Sequence, residues 1–146
     1  MKKDQLVKGS RQSLFHGTTV KGAYDILRSG TVQPRTEQVF GGNKLNGVST
    51  SRDINFALDW GHIVLEFSTE KVKHHNKVVP VDFLHSSPHY NVERRHCSEE
   101  FIVGDLDVHR CLDTVYIKNT ARQSDYYDDI LDLLHEDYRS KESVEL

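Results

Sequence analysis

A chain of 146 residues is expected to form one domain over residues 1–146, burying roughly 68–70% of the surface its unfolded form exposes without disulfide or metal staples. A formal net charge of −3 excludes a whole-surface basic field for nucleic acid, although not a local patch. The mean hydropathy is −0.60, no apolar run approaches the ~18–20 residues of a membrane span, and Met1-Lys2-Lys3-Asp4-Gln5 lacks the apolar core of a secretory signal. These features predict a cytoplasmic protein with no membrane partner, in which Cys97 and Cys111 are reduced thiols.

In chain order, the charged residues 1–11 read as a loose N-terminal arm, and Ser13 to His16 as a short strand. Val20 to Ser29 reads as a helix, with Val20, Ala23, Tyr24, Ile26 and Leu27 forming its apolar stripe and Gly30 at the position of a left-handed C-terminal cap. Gly22 inside that helix costs it about 1 kcal/mol relative to Ala. A long polar loop is expected from Gln33-Pro34 to Asn46, followed by a strand over Val48 to Ser51. Asp53 is placed to cap a short helix that carries Phe56, Ala57 and Trp60. His62 to Phe67 and Val78 to Phe83 have strand patterning, whereas Leu84 to Cys97 is irregular and rich in His and Arg. Glu100 to Val103 and Thr114 to Ile117 complete the strands, and Asp125 to Arg139 has the spacing of an amphipathic helix. Strands in the middle with helices early and late predict an α+β fold with a mainly antiparallel or mixed sheet. There is no Gly-x-Gly-x-x-Gly or P-loop sequence, so a Rossmann or Walker phosphate site is unsupported.

Three short stretches place polar residues on strand-like runs where Val or Ile would ordinarily continue. They are Leu14-Phe15-His16-Gly17-Thr18-Thr19, Gly47-Val48-Ser49-Thr50-Ser51 and Ser98-Glu99-Glu100-Phe101-Ile102-Val103. In content and order they resemble the NAD-dependent ADP-ribosyltransferase superfamily, and the resemblance spans roughly residues 12–118. The resemblance implies a split antiparallel or mixed sheet core with flanking helices, and NAD as co-substrate without a metal. It also implies transfer of ADP-ribose to a macromolecular acceptor, protein or nucleic acid, with release of nicotinamide. Small single-domain transferases of this type often act as toxins, phage effectors or anti-phage factors.

The resemblance assigns roles to named residues. Glu100 is the catalytic carboxylate, bonding the nicotinamide ribose and stabilising the positive charge that develops at its anomeric carbon. The Gly17 backbone would pair with the nicotinamide carboxamide, His16 would contact the adenosine ribose, and Thr18 would add a hydroxyl. Ser49, Thr50 and Ser51 would flank the pocket and position the Glu, with Ser49 standing where one branch of the family has a Tyr that stacks on nicotinamide. Another aromatic must then supply the stack, and Phe56, Trp60, Phe40 and Tyr24 are the candidates. Arg35 and Lys44 fall where the family carries a loop over the NAD pyrophosphate, and Arg52 lies near the same region. Tyr90, Arg94, Arg95 and Ser98 fall in the acceptor-recognition position, and Ser98, two residues before Glu100, disfavours arginine as the acceptor. Two further readings stay open on the sequence: an inactive binding module on the same fold, and an NAD glycohydrolase with water as acceptor. His85, His89, His96 and Cys97 have no Cys-x2-Cys or helical His pair among them, so no metal is expected.

Overall fold

The structure, a computed structural model, describes residues 12–38, 44–80 and 99–146. The expected arm at 1–11, Phe40, the end of the strand predicted to Phe83, and the segment holding Tyr90, Arg94, Arg95, Cys97 and Ser98 lie outside the described residues.

Among the described residues, ten strands and five α-helices follow one another: β1 Ser13–Thr18, α1 Val20–Ser29, β2 Thr31–Val32, β3 Arg35–Gln38, β4 Lys44–Ser51, α2 Ile54–Trp60, β5 Ile63–Ser68, α3 Thr69–Lys73, β6 Val78–Pro80, β7 Glu99–Val103, β8 Leu106–Asp107, α4 Val108–Cys111, β9 Leu112–Ile117, a 3-10 turn Asn119–Gln123, α5 Tyr127–Asp137 and β10 Glu142–Glu145. Eight strands form one sheet in the order β10-β9-β5-β1-β4-β7-β6, with β3 paired to β4, and β2 pairs separately with β8. Every pairing is antiparallel except β10 on β9. This is the predicted α+β class with a mixed sheet.

Local chemistry explains the elements nearest the site. Thr19 caps α1 by accepting the Gly22 amide at 3.0 Å, and Gly30 ends it with φ 75°, its own amide donating to the Ile26 carbonyl at 2.8 Å. Asp53 caps α2 as its position predicted, accepting from the Asn55 amide at 3.0 Å. The loop expected from Gln33 to Asn46 is instead largely a hairpin, in which Arg35 faces Gly47 and Gln38 faces Lys44. Arg35–Gln38 is polar throughout and Leu45 is the one apolar residue opposite it, so no apolar alternation marks the hairpin in the sequence. The final helix is shorter than its apolar spacing suggests. It stops at Asp137, and Tyr138 turns into the core with 2% exposure.

The core lies on both faces of the sheet. Leu14, Val48, Leu65, Ile102 and Val115 meet α1, α3, α4 and α5 on one face. Phe15, Val64 and Tyr116 meet Ile54, Ala57 and Leu58 of α2 on the other. Each fully buried Leu, Ile or Phe contributes about 1.5–3 kcal/mol of transfer free energy, so the two layers hold the central strands rigidly in place. Cys111 is a free, buried thiol whose pKa is raised by burial. Among the described residues no helix is long and apolar enough to cross a membrane.

Candidate active site

The sheet is split at its centre. β1 pairs with β5 over its whole length, from Ser13–Ser68 to Thr18–Ile63, but it meets β4 only at Phe15–Ser51. Beyond that pair the two strands diverge. Backbone groups alternate sides along a strand, so at least one of His16, Gly17 and Thr18 turns its N–H and C=O into the gap. A cleft of about 780 Å³ occupies the opening, within the range of small-molecule sites. It runs from Asp25, Ile26 and Ser29 of α1, past β1 and β4, to Phe56 and Trp60 of α2.

The imidazole of His16 spans the split, with Nδ1 2.8 Å from the Ser49 carbonyl. A carbonyl oxygen only accepts, so Nδ1 carries the proton, and in the neutral ring Nε2 holds the lone pair. His16 therefore restores one link that the parted backbones lack.

Gly17 lines the cleft, yet a different neighbour excludes a side chain there. A Cβ at Gly17 would stand 2.1 Å from the Ala57 carbonyl oxygen and 3.2 Å from Trp60 Cβ. The direction a side chain would take is filled by the backbone of α2, so the close approach that requires glycine is that of the helix on β1. Gly61, just past α2, is pressed in the same way: its Cβ would lie 2.1 Å from the Thr18 carbonyl oxygen. Thr18 lines the cleft, and its Oγ1 fills the space where a Cβ on Gly22 would stand, at 2.3 Å.

Residues directly opposite on antiparallel strands share a face. Ser51 faces Glu99, Thr50 faces Glu100, and Ser49 faces Phe101, so the two glutamates point to opposite sides of β7. Glu100 shares the α1 side with Thr50. The Thr50 hydroxyl donates to the Glu100 main-chain oxygen at 2.8 Å, which ties the two strands where the carboxylate emerges. The Glu100 carboxylate, 18% exposed, is 3.3 Å from Arg52 Nε, which is buried without a well-aligned hydrogen bond. The attraction there is charge to charge, not a directed bond. Glu99, 3% exposed, lines the cleft on the α2 side with Ser51 and Phe101. Ser51 Oγ accepts from the Asp53 amide at 2.9 Å, holding the turn into α2.

The structure thus brings His16, Gly17, Thr18, Ser49, Thr50 and Ser51 to one cleft, with Glu100 on the adjoining strand opposite Thr50. Arg35 lies on β3 opposite Gly47. Among the aromatic candidates, Tyr24 packs on Tyr126 with ring centroids 5.2 Å apart. Phe56 and Trp60 reach the cleft as an edge-to-face pair with centroids 5.9 Å apart, and Trp60 is 63% exposed. Among the described residues no group of three potential metal-ligating side chains forms.

No protein-family model matches the sequence, and no curated protein is similar to it at a significant level. Among solved structures, DarT from Thermus sp. 2.9 in complex with NAD+ superposes with a TM-score of 0.58, covering 94% of this chain and 97% of that one at 13% identity. The fold is that of the ADP-ribosyltransferases. At this identity the likeness between the ADP-ribosyltransferase fold and the present chain is one of architecture, carried by nearly the whole of both chains.

Two features beside the cleft are hard to find in the sequence. The Arg52–Glu100 contact joins residues 48 positions apart, and only the β4–β7 register reveals it. The side taken by Glu99 is set by the same register, because Phe101 and Ile102 are both buried and alternation alone marks no face of β7.

Proposed function

We propose that this chain is an NAD-dependent ADP-ribosyltransferase that binds NAD in the split of its sheet and passes ADP-ribose to a macromolecular acceptor. The observation that carries the reading is the parting of β1 from β4 beyond Phe15–Ser51, which opens a cleft walled by His16, Gly17, Ser49 and Trp60. The neighbouring fold, DarT, was solved in complex with NAD+, which supports the same ligand here. The cleft also suits it: a strand edge parted from β4 to match a carboxamide, an imidazole for a ribose hydroxyl, and an exposed indole for a flat ring.

On this reading the nicotinamide ring lies against Trp60, which supplies the aromatic surface that Ser49 lacks. The backbone edge at Gly17 takes the carboxamide, and His16 takes a ribose hydroxyl. Glu100 acts as the anion near the sugar, more strongly attracted to the oxocarbenium-like transition state than to bound NAD, and Arg52 sets its direction. Loss of nicotinamide requires no proton on the leaving group, because the departing ring takes the bonding electrons and becomes neutral.

The test is incubation of the purified protein with labelled NAD, alone and with cell lysate, following free nicotinamide and label in protein, RNA and DNA separately. Nicotinamide release with label in one macromolecular fraction is expected, together with a loss of about 10²–10³-fold in Glu100→Gln. Near-parental turnover of Glu100→Gln removes it from the reaction. His16→Ala is expected to weaken NAD binding and, through the lost Ser49 contact, to lower stability by about 0.5–1.5 kcal/mol. Unchanged NAD affinity in that variant rules out the ribose contact.

A further inference from the structure

We propose that Asp25 makes the cleft selective for NAD over its 2′-phosphorylated form, NADP. Its carboxylate accepts a hydrogen bond from a hydroxyl of the adenosine ribose and repels a phosphate in that hydroxyl's place. The inference rests on the NAD reading above and assigns a residue that the reading does not use.

The cleft has two unlike ends. One carries the aromatic pair Phe56 and Trp60, which the nicotinamide ring takes. A dinucleotide seated there extends its adenosine half toward the other end, built by α1 and the chain that follows it. Gly22, Asp25, Ile26 and Ser29 line the cleft, and their i, i+3, i+4, i+7 spacing is a single face of α1. Ile26, Val32 and Pro34 supply apolar surface for a base. Two side chains on the α1 face could meet the sugar, and one of them is committed elsewhere. The Ser29 hydroxyl donates to the main-chain oxygens of Ile26 and Thr31, at 3.2 and 3.0 Å, and accepts the Thr31 amide at 3.3 Å. Asp25 is the other. Lys21 Nζ meets its Oδ2 at 3.3 Å, but the two side chains are 64% and 59% exposed, so the pair is weak. A carboxylate offers about four lone-pair positions, which leaves it able to accept a sugar hydroxyl as well.

Charge decides what this acceptor admits. Among the described side chains lining the cleft there is no Lys or Arg, and Asp25 is the one carboxylate at the α1 end. NADP carries a phosphate on the 2′-oxygen of the adenosine ribose. That group removes the donor that Asp25 accepts and adds a charge of about −1.5 to −2. Dinucleotide sites on the unrelated doubly-wound fold divide the same way, an acidic side chain taking the 2′-hydroxyl of NAD and an Arg the 2′-phosphate of NADP.

The test is nicotinamide release with NAD and with NADP, measured as kcat and KM at low and at physiological salt. The chains compared are the parent, Asp25→Asn, Asp25→Lys and Lys21→Ala. NADP is also titrated as an inhibitor of the NAD reaction, so that its affinity is read even where its own turnover is too slow to follow. The parent is expected to favour NAD by at least about tenfold in kcat/KM, less so as salt rises. Asp25→Asn keeps an acceptor oxygen and loses the charge. It should tighten NADP by about 3- to 10-fold and narrow the preference by at least that factor. Asp25→Lys should narrow it further, whereas Lys21→Ala, which removes the neighbouring cation, should widen it. A merely structural role for the Lys21–Asp25 pair would move NAD and NADP together, and in the same direction in both variants. Equal use of the two dinucleotides by the parent overturns the inference, and so does an unchanged preference in Asp25→Asn. If the parent neither binds NAD nor releases nicotinamide, the NAD reading falls and this inference with it. If the parent consumes NAD and Asp25→Asn keeps the parental preference, only this inference falls.

Discussion

Gly17→Ala probes the joint on which the site is built. The added methyl would stand 2.1 Å from the Ala57 carbonyl oxygen and 3.0 Å from its carbon, both backbone atoms in the middle of α2. Reaching ordinary van der Waals separation requires α2 to retreat by roughly 1 Å, since no side-chain rotation moves those atoms. Inserting a methyl into a packed core in this way costs about 1–3 kcal/mol. The displaced helix carries Phe56 and Trp60, so the cleft wall shifts with it. A misplacement of ~1 Å can lower turnover by about 10²-fold even without direct contact with the reacting atoms.

The assay is a urea melt paired with NAD titration and nicotinamide release. The expected result is a lower midpoint with an unchanged slope, a weaker NAD response and a fall in turnover. Gly22→Ala is the control. Its Cβ would meet Thr18 Oγ1 at 2.3 Å, a side-chain atom that can rotate away, and Ala gains about 1 kcal/mol of helix propensity. That variant should be close to neutral in stability. Gly17→Ala with parental stability and turnover would refute the reasoning, because it would mean that α2 does not press on β1 as the structure shows.

Arg52→Ala should lower turnover by about 10- to 10²-fold through loss of the Glu100 orientation, with little change in NAD affinity; parallel loss of affinity and turnover would instead make Arg52 a ligand contact. Gly61→Ala, whose Cβ would meet three backbone atoms of Thr18 within 2.8 Å, should destabilise at least as much as Gly17→Ala, read from the same urea melts. Tyr138 donates to the Leu27 carbonyl at 2.6 Å and stacks on His109, and burial pushes its pKa to about 12. The fold favours the neutral phenol, so its stabilisation is complete below the ordinary value of 10 and is lost as pH rises toward about 12. Tyr138→Phe should cost about 1 kcal/mol at neutral pH, and its deficit against the parent should close between pH 10 and 12 in melting curves.

Some of this architecture was legible in the sequence because it depends on local rules. Gly30 and Asp53 announce their caps, and the apolar spacing of Val20, Ala23 and Leu27 sets the buried face of α1. The stretch at Val48–Ser51 reads as a strand because the β-branched Val48 and Thr50 punctuate it. Other elements leave no such mark. β3 is polar throughout and faces a single apolar residue, Leu45, in the start of β4, β2 and β8 are two residues each, and β10 buries only Val144 of its four residues. Strand pairing gave these segments their form, and pairing is a long-range property. The same limit applies to the site. Residue types at 16, 49 and 100 were readable, but the partner of Glu100 and the side taken by Glu99 follow from a register joining residues about fifty positions apart.

Gly17 shows how a residue expected for one reason is required by the fold for another. Its motif points to a ligand that needs bare backbone, whereas the structure fills its side-chain direction with α2. Both demands act on the same residue in different directions. The face of β1 needs no Cβ so that α2 can approach, and the edge of β1 must part from β4 so that a cleft can open. The tight α2 contact fixes the position of β1 beside the cleft. Lys118 reinforces it, its Nζ donating to the Leu58 carbonyl at 2.9 Å and fixing the end of the helix. A strand that loses one neighbour forfeits its ladder bonds there, and each buried unpaired group costs about 1–3 kcal/mol. His16 offsets part of that cost through Ser49, and on the proposed reading NAD offsets more. NAD binding should therefore stabilise the β1–β4 seam more than the β5–β9 seam, which is already paired. Amide exchange would show this as protection at residues 16–18 and 47–50 that rises with NAD while residues 63–67 and 112–117 stay unchanged. Uniform protection across both seams would mean that the cleft is not where NAD acts.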